Sequence, residues 1–238
     1  MKTYLLILAL TFSLLASSQN ISHFFNEAAD FFSLYVRDGL VDYQTIAKDP
    51  KKLDHLIVLS KRTKLNDLDS ETRKAFWINL YNINTIKQVI DNYPIKSPLD
   101  VADFFENKIY EINGEKLSLN DMENKKIRNH FNDARIHFVL VCAGLGCPPI
   151  IDNVYLPEIL DNQLESQTRL ALNNPKFIQL NVKKKKVAIS EIFKWYLNDF
   201  VSKETDLIGY INQYRNEKIP TDFNITYYSY NWNLNKIQ

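Results

Sequence analysis

Arg135-Ile136-His137-Phe138-Val139-Leu140-Val141 runs directly into Cys142-Ala143-Gly144-Leu145-Gly146-Cys147-Pro148-Pro149. The first seven residues read as a buried strand, because they are a short apolar run rich in β-branched and aromatic side chains. The next eight read as a Gly-rich turn that Pro148-Pro149 stops. The turn holds both cysteines of the chain and two of its five glycines. A strand that ends in a turn holding two thiols and then stops at Pro-Pro is a specified shape rather than filler.

On the N-terminal side the pattern is helical. Ser22 to Arg37 carries the stripe Phe24, Ala28, Phe31, Phe32 and Tyr35, and Leu53 to Leu59 gives a shorter helix. Ser70 is the expected N-cap of a long helix that ends near Tyr93, where Pro94 stops it. Lys108 to Leu117 alternates around Asn113-Gly114, a hairpin signal, and Ser118 then caps a helix to about His130. On the C-terminal side Pro157 opens a helix to about Asn173. Phe177 to Leu180 and Val187 to Ile189 read as strands, with Lys183 to Lys186 in the solvated turn between them. Ile192 to Phe200 and Leu207 to Tyr214 read as helices, and Ile225 to Tyr230 as a last strand. The resulting expectation is a single α+β domain, mostly antiparallel sheet with a helical N-terminal half.

Residues 1–18 have the form of a signal peptide. Lys2 is followed by an apolar stretch from Tyr4 to Leu15 and by small residues at Ala16-Ser17-Ser18. The globular domain is then expected over 19–238, exported to a periplasm or the extracellular space. Without Lys2 the 29 basic residues become 28 and match the 28 acidic ones, so no nucleic-acid footprint is expected. No later run is long and apolar enough for a membrane span. Two cysteines in an exported chain suggest one disulfide, Cys142–Cys147, closing a small loop for roughly 2 kcal/mol.

The candidate functional residues cluster around this turn. Asn79 and Asn82 share a helix face, and asparagine is a poor helix-interior residue, so they either fix neighbouring backbone or line a pocket. Glu123, between Met122 and Ile127 on a helix, needs a cation or donors if buried, and Arg135 is the candidate partner. Nucleophilic catalysis by Cys142 or Cys147 needs a base and an oxyanion hole. The turn at Gly144 and Gly146 offers backbone N–H groups, and His137 is the nearest histidine. In a regular strand, however, His137 and Cys142 point to opposite faces. His23 and His55 sit in N-terminal helices with no motif around them. No cofactor or metal is expected, since two thiols fall short of the four ligands of structural zinc.

Four stretches together resemble the domain-of-unknown-function 547 family: 75–82, 117–123, 135–149 and 193–200, the last being Phe193-Lys194-Trp195-Tyr196-Leu197-Asn198-Asp199-Phe200. The ending Tyr230-Asn231-Trp232-Asn233-Leu234-Asn235 is similar too, so the family-like region runs from about 40 to 235. The resemblance implies a domain found both as single exported bacterial domains and as a C-terminal module in plant and animal proteins, but little chemistry. It matches Asn79, Asn82, Glu123, Arg135, His137, Cys142, Cys147, Trp232 and Asn235. It departs at Asn124, where the family usually has histidine, and that counts against catalysis here.

Three functions remain open: a domain binding an unknown small molecule, glycan or peptide in a groove beside the Cys142–Pro149 turn, a cysteine-dependent hydrolase or acyltransferase, and a thiol-disulfide protein.

Overall fold

The computed structural model describes residues 20–238, so the expected signal segment 1–18 lies outside the described residues. The first described element is helix α1 over 20–35. A two-residue hairpin follows, β1 (Val36–Arg37) with β2 (Leu40–Val41), and then helices α2 (Tyr43–Lys48) and α3 (Lys51–Arg62). Helix α4 (Ser70–Asp91) is the longest. Asp69, one residue before the expected cap, accepts from the Thr72 amide at 2.9 Å. Phe76, Leu80, Ile83 and Ile86 are buried as the stripe requires, but so is nearly everything from Lys74 to Val89. A helix enclosed on all sides is a core helix, and its polar side chains must find partners inside.

The hairpin at Asn113-Gly114 forms as expected from β3 (Tyr110–Ile112) and β4 (Glu115–Leu117), with both turn residues at positive φ. Helix α5 runs from Leu119 to Phe131, with a π-helical stretch over Met122–Arg128 at its centre. Helix α6 (Leu160–Asn173) enters through a 3-10 turn at Pro157–Ile159. Strands β5 (Ile178–Asn181) and β6 (Lys186–Ser190) pair antiparallel, and β7 (Asn224–Tyr228) adds parallel to β6. Between β6 and β7 lie three short helices: α7 (Ile192–Trp195), α8 (Leu197–Phe200) and α9 (Leu207–Tyr214).

The expected mostly antiparallel sheet is not the architecture. The described residues are 53% helical and only 12% strand, and helices occur throughout rather than in the N-terminal half alone. The strands form three small, separate sheets.

The correction turns on the opening stretch. Ala134–Phe138 is a 3-10 helix, capped by the Asp133 side chain on the Arg135 amide, and Val139 to Val141 continues as irregular backbone. Asn82 takes the place of a neighbouring strand. Its amide donates to the Val139 carbonyl at 2.9 Å, and its oxygen accepts from the Val141 N–H at 3.0 Å. The run is apolar throughout because it lies between two cores. Ile136, Val139, Leu140 and Val141 pack into the N-terminal core around α4, whereas Phe138 packs into the C-terminal core. Burial on both sides gives the same composition to a buried strand and to this segment.

A candidate ligand cavity between two cores

A cavity of about 300 Å³ opens where the two cores meet. From the N-terminal side α4 contributes Tyr81, the loop before β3 contributes Phe105 and Glu106, and α5 contributes Asn120 and Glu123. The opening stretch supplies His137, Leu140, Cys142 and Cys147. From the C-terminal side come Ile192, Trp195, Tyr196, Tyr230 and Trp232. Two carboxylates and six aromatic rings line the cavity, and among the described residues no lysine or arginine does.

The indoles form an open platform. Trp195 and Trp232 stack at 5.9 Å and 25°, and Tyr230 lies 4.7 Å from Trp232. Trp195 is 46% exposed, so it is not the core residue that its helical position suggests. Burial pushes the Tyr230 and Tyr196 hydroxyls well above the usual phenol range. Burial and the neighbouring Glu123 do the same to Tyr81. These hydroxyls therefore stay protonated as donors, and Tyr81 donates to Glu123 Oε2 at 3.1 Å.

Beneath the platform lies a charged chain. His137 Nε2 is 2.7 Å from Asp199 Oδ2, and its ring stacks on Tyr196 at 4.1 Å. Arg128 grips the same carboxylate with two bonds, at 2.7 and 3.0 Å, and lies over the Tyr196 ring at 4.6 Å. Burial alone would raise the Asp199 carboxyl, but the hydrogen bonds from His137 and Arg128 outweigh it and hold the group well below the usual carboxylate range. Because Asp199 is ionised and can only accept, Nε2 of His137 carries a proton. Asn124 accepts from Arg128 Nη1 and donates to Asn120 Oδ1 at 2.7 Å. Asn124 thus braces the arginine.

The sulfurs of Cys142 and Cys147 lie at disulfide distance, with Cα atoms 6.5 Å apart. The Tyr230 hydroxyl is 3.0 Å from each sulfur. The turn between them is sewn to the C-terminal segment. Leu145 N–H donates to the Asn233 carbonyl, Gly146 N–H to that of Asn231, and Asn235 N–H to that of Ala143. Cys147 N–H donates to the Gly144 carbonyl. Of the two glycine amides expected for an oxyanion hole, that of Gly146 is therefore already engaged. Ala143 sits at φ 63°, in a left-handed region that costs a non-glycine residue about 1–2 kcal/mol, and its carbonyl bond to Asn235 helps to hold it there. A Cβ on Gly146 would lie 2.8 Å from the Tyr230 ring, so glycine is required for the close approach.

Of the residues singled out by sequence, Glu123, His137, Cys142, Cys147 and Trp232 meet at the cavity. The cysteines and His137 share it because the stretch between them is not a strand. Asn79 and Asn82 lie behind it, fully paired with backbone. Asn79 binds the Ala75 and Tyr155 carbonyls and the Tyr155 N–H. Gly144 and Gly146 shape the sulfur turn, and Asn235 accepts from the Tyr43 hydroxyl. Arg135 turns away to Asp133 and Asp161, so the expected Glu123–Arg135 clamp does not form. Sequence reasoning missed the roles of Tyr81, Arg128, Trp195, Tyr196, Asp199 and Tyr230. Trp195, Tyr196 and Asp199 stand in one quoted motif, so their clustering was the available signal.

No curated protein and no solved structure matches the chain. Residues 65–170 match the family model described as protein of unknown function, DUF547. That span includes Tyr81, Glu123, His137 and both cysteines but ends before the tryptophan platform, and the match supports a DUF547-family domain over that part of the chain.

Proposed function

We propose that this is an exported binding domain whose cavity beside the Cys142–Pro149 turn takes a neutral or cationic small molecule, or one unit of a glycan or peptide. One observation carries the reading: the 46% exposed Trp195 stacked on Trp232 at the cavity's edge. Exposed stacked indoles offer an apolar face to a flat ligand surface. Glu106, Glu123 and Asn120 supply polar partners, and the absence of lysine and arginine from the lining disfavours an anion. About 300 Å³ is the lower end of the range for small-molecule sites, enough for one compact unit.

The test is tryptophan fluorescence titration with a panel of neutral oligosaccharides, amino sugars and short peptides. Saturable quenching by one class, lost in Trp232→Ala, is expected. If every probe gives the same response in Trp232→Ala as in the parent, the reading is wrong.

A second reading, a cysteine-dependent hydrolase or acyltransferase, draws on the hydrogen-bonded His137–Asp199 pair lining the same cavity as the cysteines. It requires the sulfur pair to be reduced first. Thiol counting by mass spectrometry on the native protein separates the two. No alkylation without reductant fits a binding domain, and a thiol alkylated readily at neutral pH favours the nucleophile.

A further inference from the structure

Two histidines without a local motif meet on the surface opposite in chemistry to the cavity. His23 and Glu27 stand one turn apart on α1, and His55 projects from α3. Their ligand atoms all lie within 4.8 Å of one another, and the two imidazole rings approach edge-on at 6.0 Å between centroids. Among the described residues this is the one group of three or more His, Cys, Asp or Glu side chains so arranged.

We propose that His23, Glu27 and His55 form a binding site for a divalent transition-metal ion of the zinc class. The donor set of two imidazoles and a carboxylate is one that zinc accepts, with a further position left to water. A tetrahedral ion with bonds near 2.0–2.2 Å sets its ligand atoms roughly 3.4 Å apart. The observed separations therefore need only small rotations of the side chains, two of which are exposed. The backbone beneath is fixed, since Phe24 of α1 and Leu53 and Leu56 of α3 are fully buried in one core. Among the described residues none of the three makes a hydrogen bond or ion pair that an ion would have to break. Hard oxygen-seeking ions such as calcium are not matched by two imidazoles. The site is independent of the cavity, and an ion there would bridge α1 to α3.

The test is calorimetric titration of the untagged protein with zinc chloride, with the cobalt(II) absorption spectrum as a second readout. The expected result is one ion per chain, a higher melting temperature at saturation, and affinity lower by about tenfold or more in both His55→Ala and Glu27→Gln. The metal-free variants should keep the parent circular dichroism, and His23→Gln provides a third variant if one fails to fold. No binding by the parent overturns the proposal, as does unchanged affinity in the variants. Binding that persists in His55→Ala but vanishes in the Cys142→Ser, Cys147→Ser double variant also overturns it, by placing the ion on the sulfurs.

Discussion

The N-terminal core wraps one helix, α4, on every side, whereas the C-terminal core packs a three-stranded sheet against short helices through a cluster of phenylalanines. In the first, the buried Asn79 and Asn82 serve as connectors, each binding backbone on both its donor and its acceptor side. In the second, ring contacts dominate: Phe193 lies 4.7 Å from Phe200 and 6.2 Å from both Phe138 and Phe177. Cys147 and the 134–141 segment touch both. The cavity occupies the line along which these two kinds of packing meet. The N-terminal side fixes the backbone there, and the C-terminal side supplies the aromatic surface.

The sharpest way to break this comparison is to hollow each core in turn. Phe76→Ala and Phe193→Ala should each cost about 3–5 kcal/mol. If the shared segment couples the cores, denaturant unfolding stays a single transition by fluorescence and circular dichroism alike. Two transitions in Phe193→Ala would make the cores separate folding units. A smaller effect tests the connectors. Asn82→Ala strands the Val139 carbonyl and the Val141 N–H, at about 1–3 kcal/mol for each buried group left unpaired. Hydrogen exchange should quicken at 139–142 before it does in α4. Equal protection in both places would show that Asn82 is not what holds the segment.

Acid gives a milder perturbation of the line between the cores. Asp133 is held at about 2, because the hydrogen bonds from Arg135 and Lys74 outweigh a burial effect that acts the other way. Asp199 is lowered too. A carboxylate with a depressed folded-state pKa stabilises fully above its unfolded value, 3.8 here, and loses that contribution as pH falls through the folded value. Stability should therefore be level above about pH 5 and decline between roughly pH 4 and 2, by about 1 kcal/mol for Asp133 once solvent screening is allowed for. Asp133→Asn should flatten that decline. An unchanged slope would remove Asp133 from the account. The smallest expected effect is that of Trp195→Ala, at under about 1 kcal/mol, since nearly half the side chain already meets solvent. A loss of several kcal/mol would return Trp195 to the core and remove the platform.

The helices were largely legible because their signals are local. The hairpin at Asn113-Gly114, the proline entry to α6 and the stripes of α1 and α4 each lie within one stretch of chain. The 135–141 run was misread because apolarity reports burial, and this segment is buried without a strand partner. What replaces that partner, Asn82, lies 57 residues from Val139. The cavity was legible in part for a similar reason. Reactive side chains such as Cys142 and His137 attract notice in any sequence, but Asp199 reaches His137 across 62 residues and Arg128 across 71, and no spacing encodes that. The exposure of Trp195 was not legible, because an indole on a short helix looks the same in sequence whether it faces inward or outward.

The segment 231–237 has one more consequence. It bonds to Val41 near one end of the described chain, to Lys96, and to the turn between the cysteines, and Trp232 stands in the cavity wall. During synthesis the ribosome releases these residues after all the others they bind. Helices α1 to α4 can form early, but the sulfur turn has no backbone partner and the cavity no complete wall until that segment emerges. The cavity wall is therefore completed only once that segment has emerged and docked against the turn.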